Sequence, residues 1–288
     1  MYEIVHLNCG TMCPWGGRVV DGMSDGLEAR LVCHCLVVET DAGVVLVDTG
    51  FGTKDVAEPY PRLSPVFTRL LRPKLAMEET AVAQLKHRGY KPEDVRHIVL
   101  THLDFDHAGG IEDFPKADVH LMAAELDAAE HRVGAVAKGR YRPRQWDEGV
   151  RWRTYSADGE PWFGFPVVRA LTGLPPDILL VPLPGHTPGH AGVAVKGRDR
   201  WLLHAGDAYF YREEMDPKEP HCTAGLTAYQ KLMEVDREAR LANQARLREL
   251  VKSHGDEVRV VCAHDVVELE GRGRALAGKR PVRVLEPA

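Results

Sequence analysis

Apolar and polar positions alternate along this chain in two successive batches of strand-like runs, each followed by helical spacing. "YEIVHL" reads as a first strand. "ARLVCHCLVVET" and "VVLVDTG", separated by Asp41, Ala42 and Gly43, read as a hairpin of β-branched runs around a short turn. "EETAVAQLKHRGY" predicts a short helix stopped at Gly89. "EDVRHIVLT" predicts a buried strand, "ADVHLM" another, and "AAELDAAEHR" a helix. In the second batch, "DILLVPLPGH", "HAGVAVKG" and "RWLLHAGD" are three strand-like runs joined by turns. Residues 226–253 then carry a long helical pattern through Leu232, Val235, Ala239, Ala242 and Leu250, and "EVRVVCAH" is a last strand.

Two stretches break the pattern. Residues 51–79 hold Pro59, Pro61, Pro65 and Pro73, which excludes long regular elements and predicts a loop or lid. Residues 133–165 are irregular and aromatic, with Tyr141, Trp146, Trp152, Tyr155, Trp162 and Phe163; the aromatic segment 141–163 and the Pro-rich 51–79 are the candidate pocket walls. Arg140, Arg142 and Arg144 in this stretch read as a solvated run that could grip an anionic group. Strands in two batches with helices after each predict an α/β (α+β) chain. Two βα halves would pack sheet against sheet with helices outside, as one domain over residues 1–288 with the two insertions.

Composition narrows the function. The chain is 44% hydrophobic and 27% charged, with a formal net charge of −5 and no basic block, so nucleic acid is not an expected partner. No apolar run reaches membrane-span length, and the N-terminal residues lack a signal-peptide pattern, which predicts a cytoplasmic protein. Cys9, Cys13, Cys33, Cys35, Cys222 and Cys262 are too sparse for a disulfide scaffold and read as reduced thiols. Cys9 and Cys13 with His6 form only a loose metal pattern.

The chemistry concentrates at strand ends. "THLDFDHAGG" places His102, Asp104, Asp106 and His107 directly after the run ending in Leu100. Imidazole and carboxylate are the usual ligands of zinc and similar divalent ions. More such residues follow where later strands exit: His186 in "PLPGHTPGH", Asp207 in "WLLHAGDAYF" and His264 in "VRVVCAHD". A rigid strand end can aim loop side chains from distant parts of the chain at one point.

The order H-x-D-x-D-H, GHTPGH, GD and a late strand-terminal histidine resembles the metallo-β-lactamase superfamily, from about Asp48 to His264. The resemblance implies an αββα four-layer sandwich whose two mixed sheets pack face to face, with a dinuclear metal site at one edge. It implies one metal on His102, Asp104 and His186, a second on Asp106, His107 and His264, and Asp207 bridging both. It further implies a metal-dependent hydrolase in which metal-bound hydroxide attacks an ester-like carbonyl, with Asp106 orienting the nucleophile or protonating the leaving group. Zinc is the first expectation.

Asp104 stands where the common pattern has His. It adds a third carboxylate to the site, which lowers the charge on the metals and admits manganese or iron. A carboxylate there also resembles iron redox enzymes of the same fold, but the segment after His264 is too short for their flavodoxin-like domain. His190, His204 and Asp48 are expected to support the ligands. His34 reads as a satisfied core histidine. The layout is most similar to the lactonase-like branch, including acyl-homoserine lactonases, so the expected substrate is a lactone, ester or thioester with an apolar part. A glyoxalase-II-like thioesterase is a variant of that reading, and a homodimer is left open. Such lactonases often carry Tyr three residues after the bridging Asp. Here that position is Phe210, so Tyr209, with Tyr211 as its alternate, becomes the candidate catalytic hydroxyl.

Overall fold

The structure is a computed structural model that describes residues 2–146, 149–156 and 160–271. Among these residues twelve strands form two mixed six-stranded sheets. The first sheet runs β1 (Ile4–Met12), β2 (Leu31–Thr40), β3 (Gly43–Val47), β4 (Val95–Val99), β5 (Asp118–Met122) and β6 (Arg151–Tyr155) in spatial order. Its first two pairings are antiparallel, and β3 to β6 pair in parallel. The second sheet comprises β7 (Glu160–Trp162), β8 (Phe165–Ala170), β9 (Ile178–Pro182), β10 (Ala191–Lys196), β11 (Trp201–His204) and β12 (Val258–Val261). It is antiparallel except for β11 against β12. The hairpin of β2 and β3 closes with Thr40 opposite Gly43, as the turn residues require.

The layers follow from the period of two along each strand. Leu36 and Val38 of β2, Val45 and Val47 of β3 and Val99 of β4 face Ile178, Leu180, Val193, Val195, Leu202 and Val261 of the second sheet, making the central core. The intervening residues face outward. Val37, Val44, Leu46 and Ile98 pack with Leu85 of the helix Ala81–His87 and Ala129 of the helix Ala123–His131. On the other side Val181, Ala194, Leu203 and Val258 meet Leu247 and Leu250 of the helix Arg237–His254. The result is helix, sheet, sheet, helix, as the resemblance implies.

Three sequence readings need correction. Residues 51–79 are a run of short helices rather than a loop: Thr53–Ala57, Pro59–Arg62 and Pro65–Leu71, then a 3₁₀ turn Met77–Glu79. Pro59 and Pro65 each sit at a helix start, where the missing N–H costs nothing. The pattern over 226–253 splits into Ala224–Met233 and Arg237–His254, because Asp236 caps the second helix by accepting from the Ala239 N–H; Leu232 and Val235 lie exposed beside the break. Four aromatics of the stretch serve the core rather than a pocket: Tyr141 and Trp146 pack in the outer core of the first sheet, Tyr155 in the central core and Trp162 against the second sheet.

Candidate metal centre

Four strand ends bring the predicted ligands to one edge of the sandwich. Beyond β4, the turn 101–110 carries His102, Asp104, Asp106 and His107. The turn between β9 and β10 carries His186, the exit of β11 carries Asp207, and the exit of β12 carries His264. All seven are buried. Their donor atoms gather into two groups, His102 with Asp104, His186 and Asp207, and Asp106 with His107 and His264.

Asp207 lies between the groups. Its Oδ2 is 3.3 Å from His186 Nε2 and 3.8 Å from His102 Nε2, while its Oδ1 is 3.1 Å from His264 Nε2 and 3.4 Å from His107 Nε2. Oδ2 is also 3.3 Å from His264 Nε2, so Oδ1 faces the second group and Oδ2 lies between the two.

Neighbouring groups fix which imidazole nitrogen points inward. Asp48 Oδ2 takes the His107 Nδ1 proton at 2.9 Å and the Thr101 hydroxyl proton at 2.8 Å; the same hydroxyl oxygen accepts from His102 Nδ1 at 2.9 Å. His264 Nδ1 donates to the Val32 carbonyl at 2.7 Å. With their Nδ1 atoms engaged, these rings turn Nε2 toward the centre. Asp48 adopts a left-handed backbone, φ 56°, to point back at this turn. His190 donates through Nδ1 to the Leu183 carbonyl and accepts the Asp207 N–H on Nε2, both at 2.9 Å, so it holds the backbone of the shared carboxylate. Gly206 must be glycine: a side chain there would lie 2.6 Å from His190 Nε2 and 2.9 Å from Thr101 Cβ, at φ 54°. His204 points the other way, donating to the His34 carbonyl, and His34 is buried between His6 and the Cys262 carbonyl.

Two observations test whether the residues fit a cation. First, His102 Nε2, His107 Nε2 and Asp207 Oδ1 are buried without a hydrogen-bond partner, and all three aim into the groups. Buried polar atoms are almost always partnered, and ligand atoms are the usual exception. Second, the field in the second group demands positive charge. Burial lowers the His107 imidazole, but the carboxylates of Asp207, Asp106 and Asp48 overturn that and raise it well above its ordinary value; Asp207 and Asp106 do the same for His264. Burial with the His107 charge pushes His102 down to about 4. The donor set and this electrostatic demand suit divalent ions with N and O ligands.

Two residues that the local pattern could not reveal complete the site. Arg140, read above as solvated, is buried, 1% exposed, and forks onto Asp104 with Nε to Oδ1 at 2.6 Å and Nη2 to Oδ2 at 2.7 Å. Burial raises the Asp104 carboxyl; Arg140 and His102 override it and hold the group well below the usual carboxylate range. Asp104 is therefore not an unbalanced third carboxylate, and the excess charge that admitted manganese or iron is cancelled. Glu125, at the start of the helix Ala123–His131, accepts from Leu103 N, the Thr187 hydroxyl and Gly189 N, tying the two ligand turns together. Only the partners, from 22 to 64 positions away, give these roles.

Tyr209 is corrected. It is fully buried, 0% exposed, and its hydroxyl donates to the Glu268 carboxylate, away from the ligands. Tyr211 lines a narrow crevice beside His264 with Arg30, Asp265 and Phe210. Phe210 stacks on His264 at 5.2 Å between ring centroids and lies 5.7 Å from His186. Half-buried Tyr229 lies in the field of the centre: desolvation first, then the carboxylates of Asp106, Asp104 and Asp207, raise its phenol well above its ordinary value. Its ring meets Phe210 edge-on at 5.7 Å. Cys9, Cys13 and His6 belong to neither metal group, and all six cysteines are free thiols.

Comparison with known proteins agrees with the fold. The family model described as the metallo-beta-lactamase superfamily matches residues 29–264. A probable metallo-hydrolase of Mycobacterium tuberculosis is 44% identical over 91% of this chain and 80% of its own length. An N-acyl homoserine lactonase of Bacillus cereus is 28% identical, covering 86% of this chain and 87% of its own. In structure, a B. thuringiensis AiiA variant with N-decanoyl-L-homoserine at its active site superposes with a TM-score of 0.67 at 24% identity, over 92% of this chain and 94% of that one. Sandwich and ligand groups together define a metal-dependent hydrolase. More particularly, the chain belongs to the metallo-β-lactamase superfamily and sits in its lactonase-like branch.

Proposed function

We propose that this protein hydrolyses a lactone, ester or thioester of a small molecule that has an apolar part. The observation that carries the reading is Asp207 set between two His/Asp groups, its carboxylate within 3.3 Å of His186 on one side and 3.1 Å of His264 on the other. His102, Asp104 and His186 would hold one divalent ion, and Asp106, His107 and His264 a second, with Asp207 shared. Such ions supply Lewis acidity toward a carbonyl oxygen and lower the pKa of water toward neutrality; zinc is the expected metal.

The chain's own residues do the rest. Asp48 and Thr101 keep the histidine rings in one tautomer and one orientation. Asp106 accepts no hydrogen bond among the described residues, which leaves its carboxylate able to take a proton from the attacking water and return it to the leaving oxygen or sulfur. Phe210, Phe105, Phe67 and Leu226 pack in one buried apolar cluster that reaches the site through the Phe210 ring stacked on His264. The Phe210 end of that cluster gives the site an apolar flank that suits an acyl or aryl group. Tyr229 replaces Tyr209 as the hydroxyl that can donate to the carbonyl oxygen. The N-acyl homoserine lactonases among the relatives support the lactone member of this set.

The test is a panel of lactones, thioesters, aryl esters and phosphotriesters, assayed on protein loaded with zinc, manganese, cobalt or iron. Turnover of a carbonyl substrate that disappears on chelation is expected. Full metal occupancy without turnover of any carbonyl substrate contradicts the proposal.

A further inference from the structure

Arg140 is built into the metal centre rather than laid beside it. It ends the helix Gly134–Arg140, and every one of its five N–H groups has a partner in the site. Nε and Nη2 take the two Asp104 oxygens, Nη1 donates to the carbonyls of His186 at 3.0 Å and Met233 at 2.9 Å, and Nη2 also meets His186 Nε2 at 2.6 Å. A guanidinium thus grips two of the four donors of one group.

Those four donors are otherwise spaced for an ion. Asp104 Oδ2 lies 3.1 Å from His186 Nε2 and 3.5 Å from His102 Nε2, and Asp207 Oδ2 lies 3.3 Å from His186 Nε2. Four ligands about 2.1 Å from a tetrahedral ion stand roughly 3.4 Å apart. A neutral imidazole, however, has one lone pair on its free nitrogen. At His186 that lone pair faces both the guanidinium and the centre of the group. The other group has no such competitor: among the described residues no lysine or arginine is hydrogen-bonded or ion-paired to Asp106, His107 or His264.

We propose that Arg140 makes the two sites unequal, so that Asp106, His107 and His264 with Asp207 hold their divalent ion tightly, whereas His102, Asp104 and His186 hold theirs weakly. The guanidinium draws on the donor electrons of Asp104 and His186, and its fixed positive charge repels a second cation at close range. This inference rests on the reading that the groups bind divalent ions.

The experiment uses the full chain, stripped with chelator and titrated calorimetrically with zinc, then dialysed and measured for retained zinc by mass spectrometry. The wild type should bind in two phases that differ on the order of 100-fold, the scale of a like charge at about 4 Å in a partly screened site. It should retain about one equivalent after dialysis. Arg140→Met, and Arg140→Met combined with Asp104→His, should bring the weak phase toward the strong one and retain about two, with circular dichroism checking the fold. Two equal phases in the wild type overturn the proposal, as does an unchanged weak phase in a folded variant. Should the variants misfold, the wild-type titration alone decides. Two equal phases leave the hydrolase reading standing, whereas no zinc binding at all overturns both.

Discussion

Asp207 contributes an oxygen to each ligand group, so it is the residue whose loss should be felt by both. Asp207→Ala is expected to abolish retained metal and turnover together, while His107→Ala should empty chiefly its own group; metal analysis on the folded variants checks each. Tyr229→Phe should lower kcat/KM on the order of 100-fold, the scale of one donor to a developing oxyanion, and leave the metal content unchanged. Tyr209→Phe should leave kcat/KM essentially as it is. Glu268, which Tyr209 serves, gives a pH prediction. Burial first, then repulsion from Asp265, raises the Glu268 carboxyl to about 8 from 4.5. The folded protein therefore holds this proton where the unfolded chain has lost it, and stability falls as pH rises between those two values. Glu268→Gln should flatten that slope in denaturant melts taken from pH 5 to 8; an unchanged slope contradicts the assignment. At this scale the ligands were legible, because His102, Asp104, Asp106 and His107 sit within six positions and the later ones follow apolar runs. Arg140, Glu125 and Tyr229 were not, because a charge or phenol turned toward the site reads locally as an ordinary helix residue. Its partner is known only once distant loops meet.

The ligand-bearing turns are held as elements, and Glu125 is the joint between two of them. Its carboxylate satisfies Leu103 N beside the first turn and both Thr187 and Gly189 of the next. Removing it strands buried donors, each costing about 1–3 kcal/mol. Glu125→Ala should therefore destabilise the protein by about 3 kcal/mol or more in denaturant titration and weaken metal retention with it. A loss confined to stability would show that the turns hold their shape unaided. Gly189 belongs to the same joint, since a side chain there would collide with the backbone of Glu125. Strands and their order of appearance were readable because the period of two is a short-range signal. The break at Glu234–Asp236 and the short helices of 53–71 were blurred, because capping and proline placement, rather than hydrophobic period, set those boundaries.

Across the whole molecule, the centre lies where both sheets end, with ligands from β4 on the first and from the exits of β9, β11 and β12 on the second. A bound ion would tie the two halves together, and an ion that binds only the folded chain stabilises it by mass action. Chelation should accordingly lower Tm, and restoring zinc in excess should raise it again. No helix among the described residues is long and apolar enough to cross a membrane. The layer order was legible because two batches of strands with helices after each admit few packings. The convergence of four loops on one edge entered through the resemblance, since no local pattern encodes it. The most direct test of the central claim is an anomalous-difference map from crystals of zinc-loaded protein, recorded at the zinc edge. The account predicts a strong peak among Asp106, His107, His264 and Asp207, with any second peak against His102 and His186 and weaker. Zinc peaks elsewhere in the fold, with none beside Asp207, would contradict it.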